Sequence, residues 1–510
     1  MRLSRRRFTF LIKIGATAFL AALFERLFSN EADGIQIGLF ALAWLLGLII
    51  ARRDVRQPRL GTAISLALAA LFSTALIYDP GPLAWLLFCS ALSIAALLPR
   101  TAAFDDAWRW TVRLMLHGFT GIAKPVIDLF HLLSVRPRGN RLTIRSVAAI
   151  LTLPLIGSAI FIALFASANP LIANMLTNLE LPTMTQGMRW GFATFLVWPA
   201  LRPHRLVTRL RIPEPAIGLP GTSLPSVLIS LGLFNLLFAI QNGLDIAFLW
   251  SGARLPAGMS MTEYVHRGAY PLIATALLAG LFALTMLRPG TATAANRWAR
   301  RLVALWVAQN VFLVASSALR TIDYIAEFEL TAWRIAALMW MGLVAAGLML
   351  ICWRIWFGRS ARWLINANAL AAAIILIPCC FVDLSASAAR WNVRHAREVG
   401  GTAAPIDLCY LGYMGPPALL PLIELEQHPL PADMRARVQH VRTNLLDRLS
   451  RRQANPWRWT PHGAIRLAQA RALLGPTSFQ ARAPAGSIRE YCDRSPSPPT
   501  VSPLTDAPSQ

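Results

Sequence analysis

Residues 224–250 read LPSVLISLGLFNLLFAIQNGLDIAFLW, a long apolar run that also carries Asn235, Gln241, Asn242 and Asp245. A helix of roughly 20 apolar residues crosses the hydrocarbon core of a bilayer, and this run is long enough to do so. Comparable runs lie near 9–28, 35–51, 60–78, 82–99, 145–167, 189–201, 224–250, 269–287, 301–319, 332–354 and 364–383. The pattern predicts an all-α fold, a polytopic transmembrane helical bundle of about 11 spans.

The composition agrees with a membrane protein and argues against a soluble one. Of 510 residues, 55% are hydrophobic and only 15% are charged, and a water-soluble protein of this size cannot bury so much apolar side chain. The formal net charge of +24 would indicate nucleic-acid binding in a soluble chain. Here the arginines occur in short clusters between apolar runs, so we predict the lipid bilayer as partner and no nucleic acid.

The arginine clusters also predict how the spans are threaded, because Arg-rich connections are retained in the cytoplasm. Such connections are found at 52–59, 136–145, 202–211, 288–301 and 354–362. The intervening connections at 29–34, 78–81 and 168–187 contain no Lys or Arg. An odd number of spans then places the N-terminus in the cytoplasm and the C-terminus in the periplasm of a bacterial inner membrane. The spans 9–28 and 189–201 are the weakest, because both are charged or bounded by charge.

The spans and connections divide the chain into five predicted regions. These are N-terminal transmembrane hairpins at 1–99, a cytoplasmic interfacial helix at 100–144, a core transmembrane bundle at 145–384, an extracytoplasmic helical segment at 385–482 and a disordered tail at 483–510. In the interfacial region Trp108, Val112, Met115, Phe119 and Ile122 recur at helical spacing. This spacing predicts an amphipathic helix on the inner membrane face. Packing of the helix under the bundle explains the pattern equally well.

Polar groups at membrane depth are costly, so each of them is a candidate for a functional site. Within the first run quoted, Asn235, Asn242 and Asp245 lie near one helical face, with Gln241 beside it. Such a face belongs toward the interior of the bundle, away from lipid. Asp245 is therefore predicted to bind a proton or a cation.

The densest polar cluster follows at 260–271. A capping-box pattern starts a helix there, and Glu263, His266 and Arg267 share one face of it. Pro271 predicts a kink or break in the same helix. Broken helices at membrane depth are tolerated mainly where they line protein or water cavities, so we expect this cluster to line a cavity.

A second cluster, in which Arg320, Asp323, Tyr324 and Glu327 recur at helical spacing, follows the ninth span. The predicted threading puts both clusters at the outer side of the membrane. The predicted substrate- or ion-binding residues are Asp245, Glu263, His266, Arg267, Arg320, Asp323, Tyr324 and Glu327. A salt-bridge network that locks loops onto helix ends is the alternative interpretation of both clusters.

The cysteines and motifs bear on cofactors and redox chemistry. Cys409 and Cys492 are the two cysteines of the predicted outer segment, so they either form a disulfide or remain two free thiols. The sequence contains no C-x-x-C, no H-E-x-x-H and no G-x-x-x-x-G-K pattern. We therefore predict no metal, no cofactor and no direct ATP hydrolysis.

A family resemblance accompanies these residues. It is carried by residues 168–170, 235–245, 255–259, 263–270, 324–327, 330–331, 366–368, 383, 390–392, 407–411 and 457–459. The chain resembles the bacterial membrane family catalogued as domain of unknown function (DUF) 4173, with the His-Arg-Gly segment at 266–268 as the most specific part. The resemblance covers most of 145–460 and implies a polytopic inner-membrane protein, without an activity to carry over.

Three functional hypotheses follow from these patterns. The first is a transport-like or flippase-like protein with a polar outward-facing cavity, because intramembrane polar groups accompany a helix break. The second is a non-catalytic signalling or scaffold protein whose Arg-rich outer segment binds an envelope protein or polymer. The third is a membrane-embedded transferase with a carboxylate as general base. No enzyme signature is present, and substrate, oligomeric state and energy coupling are left open.

Overall fold

The structure is a computed structural model of the whole chain. It describes residues 2–29, 33–57, 59–101, 104–134, 183–209, 223–250 and 296–479, with isolated positions between 152 and 167 and between 275 and 295. Every regular element in these ranges is a helix, and no strand occurs in them. The chain divides into two compact units, one made mostly of residues before 213 and one made mostly of residues after it.

Among the described residues, the first unit contains all or the greater part of each of seven helices. They are α1 Arg2–Phe28, α2 Gln36–Ala51, α3 Leu60–Tyr78, α4 Pro82–Leu97, α5 Ala107–Ser134, α6 Met184–Leu201 and the short α7 Arg205–Arg209. The turn between α3 and α4 and the first residues of α5 belong to the second unit. The region predicted to form an interfacial helix contains helix α5.

The two weakest predicted spans pack against each other as α1 and α6. The ring of Phe10 lies 6.1 Å from that of Trp198, and Arg189 lies 3.4 Å from Glu25. These contacts pair the start of one helix with the end of the other, so the helices are antiparallel. Because Glu25 and Arg189 neutralise each other, neither of these two charges is left unpaired against lipid.

A buried arginine ties together the ends of three helices in the first unit. Arg52, directly after α2, donates to the carbonyl oxygens of Ala96 (2.6 Å) and Ala200 (3.0 Å), near the ends of α4 and α6. It also donates through Nε and Nη2 to Asp54, at 3.1 and 2.6 Å. The sequence predicted these three helix ends on one side of the membrane, and the structure brings them together.

Helix α5 has one polar anchor and one apolar exposed face. Asp128 is buried and lies 2.6 Å from Lys124 and 3.3 Å from Arg202. The opposite face exposes large apolar side chains, among them Phe119 and Ile122. This is the amphipathic division that the spacing predicted.

The second unit contains the remaining helices. They are α8 Leu224–Asp245 with a π-helical extension Ile246–Trp250, α9 Arg297–Phe328, α10 Ala332–Phe357, α11 Ala361–Cys379, α12 Leu384–His395, α13 Leu408–Met414, α14 Leu419–Glu426, α15 Ala432–Ala454 and α16 Pro461–Phe479. Side chains of Asn296, Thr331 and Ser360 cap the first turns of α9, α10 and α11. Gly358 ends α10 at φ +63°, a conformation that glycine adopts without strain.

Helices α8 and α9 form the centre of the second unit. The rings of Phe234 and Phe238 lie 5.2 and 5.7 Å from the ring of Trp306. Asn235 contacts Leu302 and the later Asp245 contacts Arg320, so the two helices are parallel. Parallel neighbours that both span a membrane need an odd number of crossings between them, which the predicted span 269–287 would supply. That span lies almost entirely outside the described residues.

Within the described ranges, six helices are long and apolar enough to cross a membrane. They are Leu60–Tyr78, Pro82–Arg100, Leu224–Asp245, Arg297–Phe328, Ala332–Phe357 and Ala361–Cys379, and the shorter Gln36–Ala51 is also apolar. The predicted span 145–167 falls mainly outside the described residues. The six helices indicate a multi-pass membrane protein, while the count of about 11 and the orientation remain predictions.

Helices α12 to α16 surround a hydrophobic core of their own. Leu411, Leu419, Leu422, Val441 and Leu445 are fully buried in it. The helical segment predicted at 385–482 is thus helical over its described part. The tail predicted at 483–510 lies outside the described residues.

Candidate functional site

The strongest candidate site is an ion pair buried between α8 and α9. The guanidinium of Arg320 donates from Nη2 to Oδ1 of Asp245, and the two residues are 6% and 3% exposed. Gln241 donates to the same carboxylate oxygen at 3.1 Å. The sequence predicted Asp245 and Arg320 for one site, and the structure brings them into contact.

A row of amides continues this polar contact along the helix pair. Asn242 donates to the carbonyl oxygen of Gln309 at 3.1 Å, and the Gln309 side chain donates to Asn235 at 3.0 Å. Asn235 in turn donates to the carbonyl oxygens of Leu231 and Leu302, at 2.7 and 3.0 Å. We call the side chains of Asn235, Gln241, Asn242, Asp245, Gln309, Asn310 and Arg320 the polar seam.

Several acceptor oxygens of the polar seam have no donor among the described residues. Oδ2 of Asp245 and the side-chain oxygens of Asn242, Gln309 and Asn310 are buried and accept no hydrogen bond from the described part of the chain. A buried oxygen without a donor costs about 1–3 kcal/mol. Buried oxygens of this kind are commonly satisfied by an ordered water or a bound ion.

The helix geometry changes beside Asp245. Residues Ile246–Trp250 form a π-helix, in which the indole N–H of Trp250 donates to Ser316 at 3.1 Å. π-Helical turns inside helices are uncommon and frequent at functional sites, because they redirect side chains and backbone carbonyls. The sequence predicted a helix break at Pro271 instead, a position outside the described residues.

The other predicted site residues divide into two groups. Tyr324 lies under the guanidinium of Arg334, at 4.3 Å from ring centre to Cζ, Asp323 is half-buried and Glu327 is exposed. Only Arg320 of that cluster contacts α8 among the described residues. Glu263, His266 and Arg267 lie outside the described residues, so their membership of the site and the cavity they were expected to line stay predictions.

Two residues of the polar seam were missed by the sequence analysis. Gln309 and Asn310 lie in the apolar stretch 301–319 and are polar at membrane depth. The rule that identified Asp245 therefore applies to them as well. Glu329 was also missed, and no sequence pattern marks it.

Glu329 joins α9 to the C-terminal helices. It is 7% exposed and has a φ of +65°, a conformation that costs a residue with a Cβ about 1 kcal/mol. Its carboxylate accepts from the backbone N–H of Asp407 at 2.8 Å. Burial raises the pKa of Glu329 to about 7, with Asp407 and Glu398 adding negative charge nearby and Arg334 opposing the rise.

The cysteine prediction concerns the same C-terminal helices. Cys409 lies on α13 and is disulfide-bonded, whereas Cys89, Cys352, Cys379 and Cys380 are free. Cys492 lies outside the described residues. Its pairing with Cys409 therefore stays a prediction.

Apolar helices of membrane-spanning length and a polar seam buried between two of them define a multi-pass α-helical membrane protein. Residues 60–425 match the family described as domain of unknown function DUF4153, which is more than half of the chain. The protein belongs to this family, and it is a membrane protein of unknown activity. No curated protein and no solved structure matches the chain.

The family number expected from the sequence was wrong. The resemblance pointed to a domain of unknown function numbered 4173, and the match is to DUF4153. The match also includes residues 60–144, where only hydropathy had suggested a relation. Short polar motifs within apolar helices contain few identities, so they separate such families poorly.

Proposed function

We propose that the protein is a transport-like or flippase-like protein of the bacterial inner membrane that binds a proton or a monovalent cation at Asp245. The observation that carries the proposal is the buried carboxylate of Asp245, whose Oδ2 accepts no hydrogen bond from the described residues. Carboxylates at membrane depth are rare and commonly belong to proton or ion pathways. The N-terminus is proposed to be cytoplasmic and the seam to open outward.

The ion pair itself supplies the switching element. Arg320 neutralises Asp245 in the described state, and a bound cation or proton would replace part of that interaction. The released guanidinium could then hold an anionic group of a substrate, such as a phosphate or carboxylate. Binding of the cation and of the anionic substrate would therefore be coupled through one side chain.

The parallel arrangement of α8 and α9 supports this proposal. A polar seam between parallel spans faces protein along its whole length, whereas single polar residues on a lipid-facing surface would be strongly disfavoured. The π-helix next to Asp245 is a second support, because it interrupts the regular hydrogen bonding of α8 at the carboxylate.

Flux measured in proteoliposomes tests the proposal. The full chain is reconstituted and three probes are followed: protons with an enclosed pH dye, radioactive Na⁺, and a fluorescent phospholipid whose inner-leaflet fraction is protected from dithionite. We expect movement of at least one probe, reduced about tenfold or more by Asp245→Asn, since a tenfold change corresponds to 1.4 kcal/mol.

The matched control is Asp54→Asn, which makes the same chemical change in an ion pair outside the seam. This variant should keep wild-type flux. If the wild-type protein moves none of the three probes, the transport proposal fails. If Asp245→Asn and wild-type protein move a probe equally, the assignment of the site fails.

The scaffold hypothesis is supported by a different observation. Helix α15 exposes Arg435 and Arg448 on the C-terminal helices, where they are available to an acidic protein or polymer. Pull-down with wild-type protein and with the double variant Arg435→Gln/Arg448→Gln distinguishes the scaffold hypothesis from the transport proposal. Partners lost from the double variant support a scaffold, and partners retained by it count against that function.

A further inference from the structure

A recess lies in the second unit and shares no residue with the polar seam. It measures about 170 Å³ and opens where the α3–α4 turn meets the α11–α12 junction and the start of α16. Side chains that line it include Tyr78, Asp79, Leu83, Phe381, Asp383 and His462. The lining combines charged and aromatic side chains with aliphatic ones, which suits a small amphiphilic group.

The charged side chains form a chain of contacts in a defined order. His462 lies with Nδ1 3.0 Å from Oδ2 of Asp79 and stacks on the ring of Tyr78 at 4.9 Å. Its Nε2 lies 3.1 Å from Nη2 of Arg466. A guanidinium only donates, so Nε2 accepts from Arg466 and Nδ1 donates to Asp79.

The charges around the recess do not cancel. Arg466 lies 2.5 Å from Asp383, whose other carboxylate oxygen accepts from the backbone N–H of Ala386 at 2.9 Å. These two charges offset each other. Asp79 contacts the imidazole of His462 instead of a guanidinium and is 50% exposed, so the recess is negative at Asp79 and favours a cation over an anion.

The lining favours an organic cation over a metal ion. Within the described ranges, no three His, Cys, Asp or Glu side chains are grouped closely enough to hold a metal, and firm metal binding generally needs more than two such ligands. Leu83 and Phe381 supply apolar surface, and Tyr78 supplies an aromatic ring. An ammonium group gains from both a carboxylate and an aromatic face.

The position of the recess brings lipid headgroups within reach. Candidate spans end at Tyr78 and Cys379, and another begins at Pro82, and all three residues contribute to or border the recess. Ends of membrane-spanning helices lie at the level of the headgroups. The recess is thus placed where a headgroup amine or a free amine from the aqueous side can enter it.

We propose that this recess binds an organic ammonium group, with Asp79 as its counter-ion and Tyr78 as its aromatic wall. The group belongs to an ethanolamine-type lipid headgroup or to a free amine. This assignment is independent of the function proposed for Asp245, because the two sites share no residue.

Native mass spectrometry of the full-length protein tests the proposal. Short-chain phosphatidylethanolamine, the same lipid acetylated on nitrogen, and free ethanolamine are titrated in turn. We expect retention of the amine lipid and at least about tenfold weaker binding of its acetylated form, which lacks the positive charge. Free ethanolamine that competes for the site would identify a general amine site, and lack of competition would identify a headgroup site.

The variants make the test specific. Asp79→Asn should weaken binding of the amine lipid about tenfold, and Tyr78→Leu should weaken it by a smaller factor. Asp433→Asn removes an exposed acid elsewhere in the C-terminal helices and should bind like wild-type protein, with melting temperatures confirming that all variants are folded. Equal binding by Asp79→Asn and wild type, or equal binding of the acetylated lipid, would overturn the proposal.

Discussion

Two arginine–aspartate pairs with a buried guanidinium, Arg52–Asp54 in the first unit and Arg320–Asp245 in the second, differ in how completely they are hydrogen-bonded. Arg52 contacts Asp54 through two nitrogens and the carbonyl oxygens of Ala96 and Ala200 through a third. Arg320 contacts Asp245, whose second oxygen accepts nothing from the described residues. A saturated buried pair resembles a structural tie, whereas an unsaturated one keeps capacity for a ligand.

The surroundings of Asp54 and Asp245 also differ. Burial opposes the ionisation of Asp54, but the hydrogen bonds and charges of Arg52 and Arg100 outweigh it and hold its pKa at about 2. Asp54 is also partly exposed, so water assists its ionisation. Asp245 is buried, and its Oδ2 accepts no hydrogen bond from the described residues. The comparison teaches that burial alone does not identify a functional ion pair.

The largest effect is expected from Arg52→Ala. This change leaves two carbonyl oxygens without their donor and removes the tie between three helix ends, so we expect a loss of about 3–5 kcal/mol in the free energy of unfolding. Denaturant unfolding of the detergent-solubilised protein measures it. Arg53→Ala, at an exposed neighbouring position, should change stability by less than about 0.5 kcal/mol. Similar values for both variants would contradict the structural role.

The second prediction separates the two pairs by double substitution. Arg320→Gln should cost about 3 kcal/mol, because it leaves the Asp245 charge buried, and adding Asp245→Asn should recover most of that loss. Arg52→Gln should gain nothing from Asp54→Asn, because the carbonyl oxygens remain unpaired. Thermal unfolding of all six variants gives both cycles. If the second substitution recovered the same free energy of unfolding in both cycles, the two ion pairs would not differ in this way.

Glu329 is a buried acid whose carboxylate contacts no arginine side chain among the described residues. Its pKa is raised to about 7 from 4.5, so the folded state holds the proton more tightly than the unfolded state. Its contribution to stability is therefore full below about pH 4.5 and is lost as the pH rises through about 7, a change of about 2–3 kcal/mol.

The Glu329→Gln variant tests this dependence. Its melting temperature should change less than that of wild-type protein between pH 5 and pH 8, because the neutral amide cannot lose a proton. Glu424→Gln, a more exposed acid in the same helices, serves as the control and should keep the wild-type profile. Parallel profiles for Glu329→Gln and wild type would show that another group titrates.

The smallest effect is expected at the edge of the polar seam. Gln241→Leu removes one donor from the Asp245 carboxylate while the arginine contact remains, so we expect a loss of about 1 kcal/mol. Gln427→Leu, at an exposed position, should be nearly neutral in the same unfolding assay. A loss above about 3 kcal/mol would mean that the seam is structural throughout.

Much of the fold could be predicted because hydrocarbon imposes simple rules on sequence. The apolar runs predicted α3, α4, α8, α10 and α11 closely, since a spanning helix must satisfy its own backbone. The cost of polar groups at membrane depth selected Asp245 and Arg320, which meet. It would also have selected Gln309 and Asn310 if applied to every apolar stretch.

Other features could not be predicted because they depend on contacts between distant residues. Glu329 follows the end of α9 with a positive φ, which no local sequence pattern favours. Hydrogen bonds from Asp407 and Asn392 to its carboxylate hold it in that conformation. The recess joins residues near 79 with residues near 462, which share no local pattern. The π-helix after Asp245 likewise resembles ordinary helix in sequence.

The sequence by itself determined that the chain is helical, which stretches are apolar enough to span a membrane, and which polar groups would be costly there. These properties follow from composition and local spacing, because hydrophobic transfer and helix formation act within a few turns. The tertiary structure alone decided that Arg52 is saturated and Asp245 is not. Hydrogen-bond saturation depends on which distant carbonyls and carboxylates packing brings within about 3 Å. Spacing along one helix does not determine those contacts.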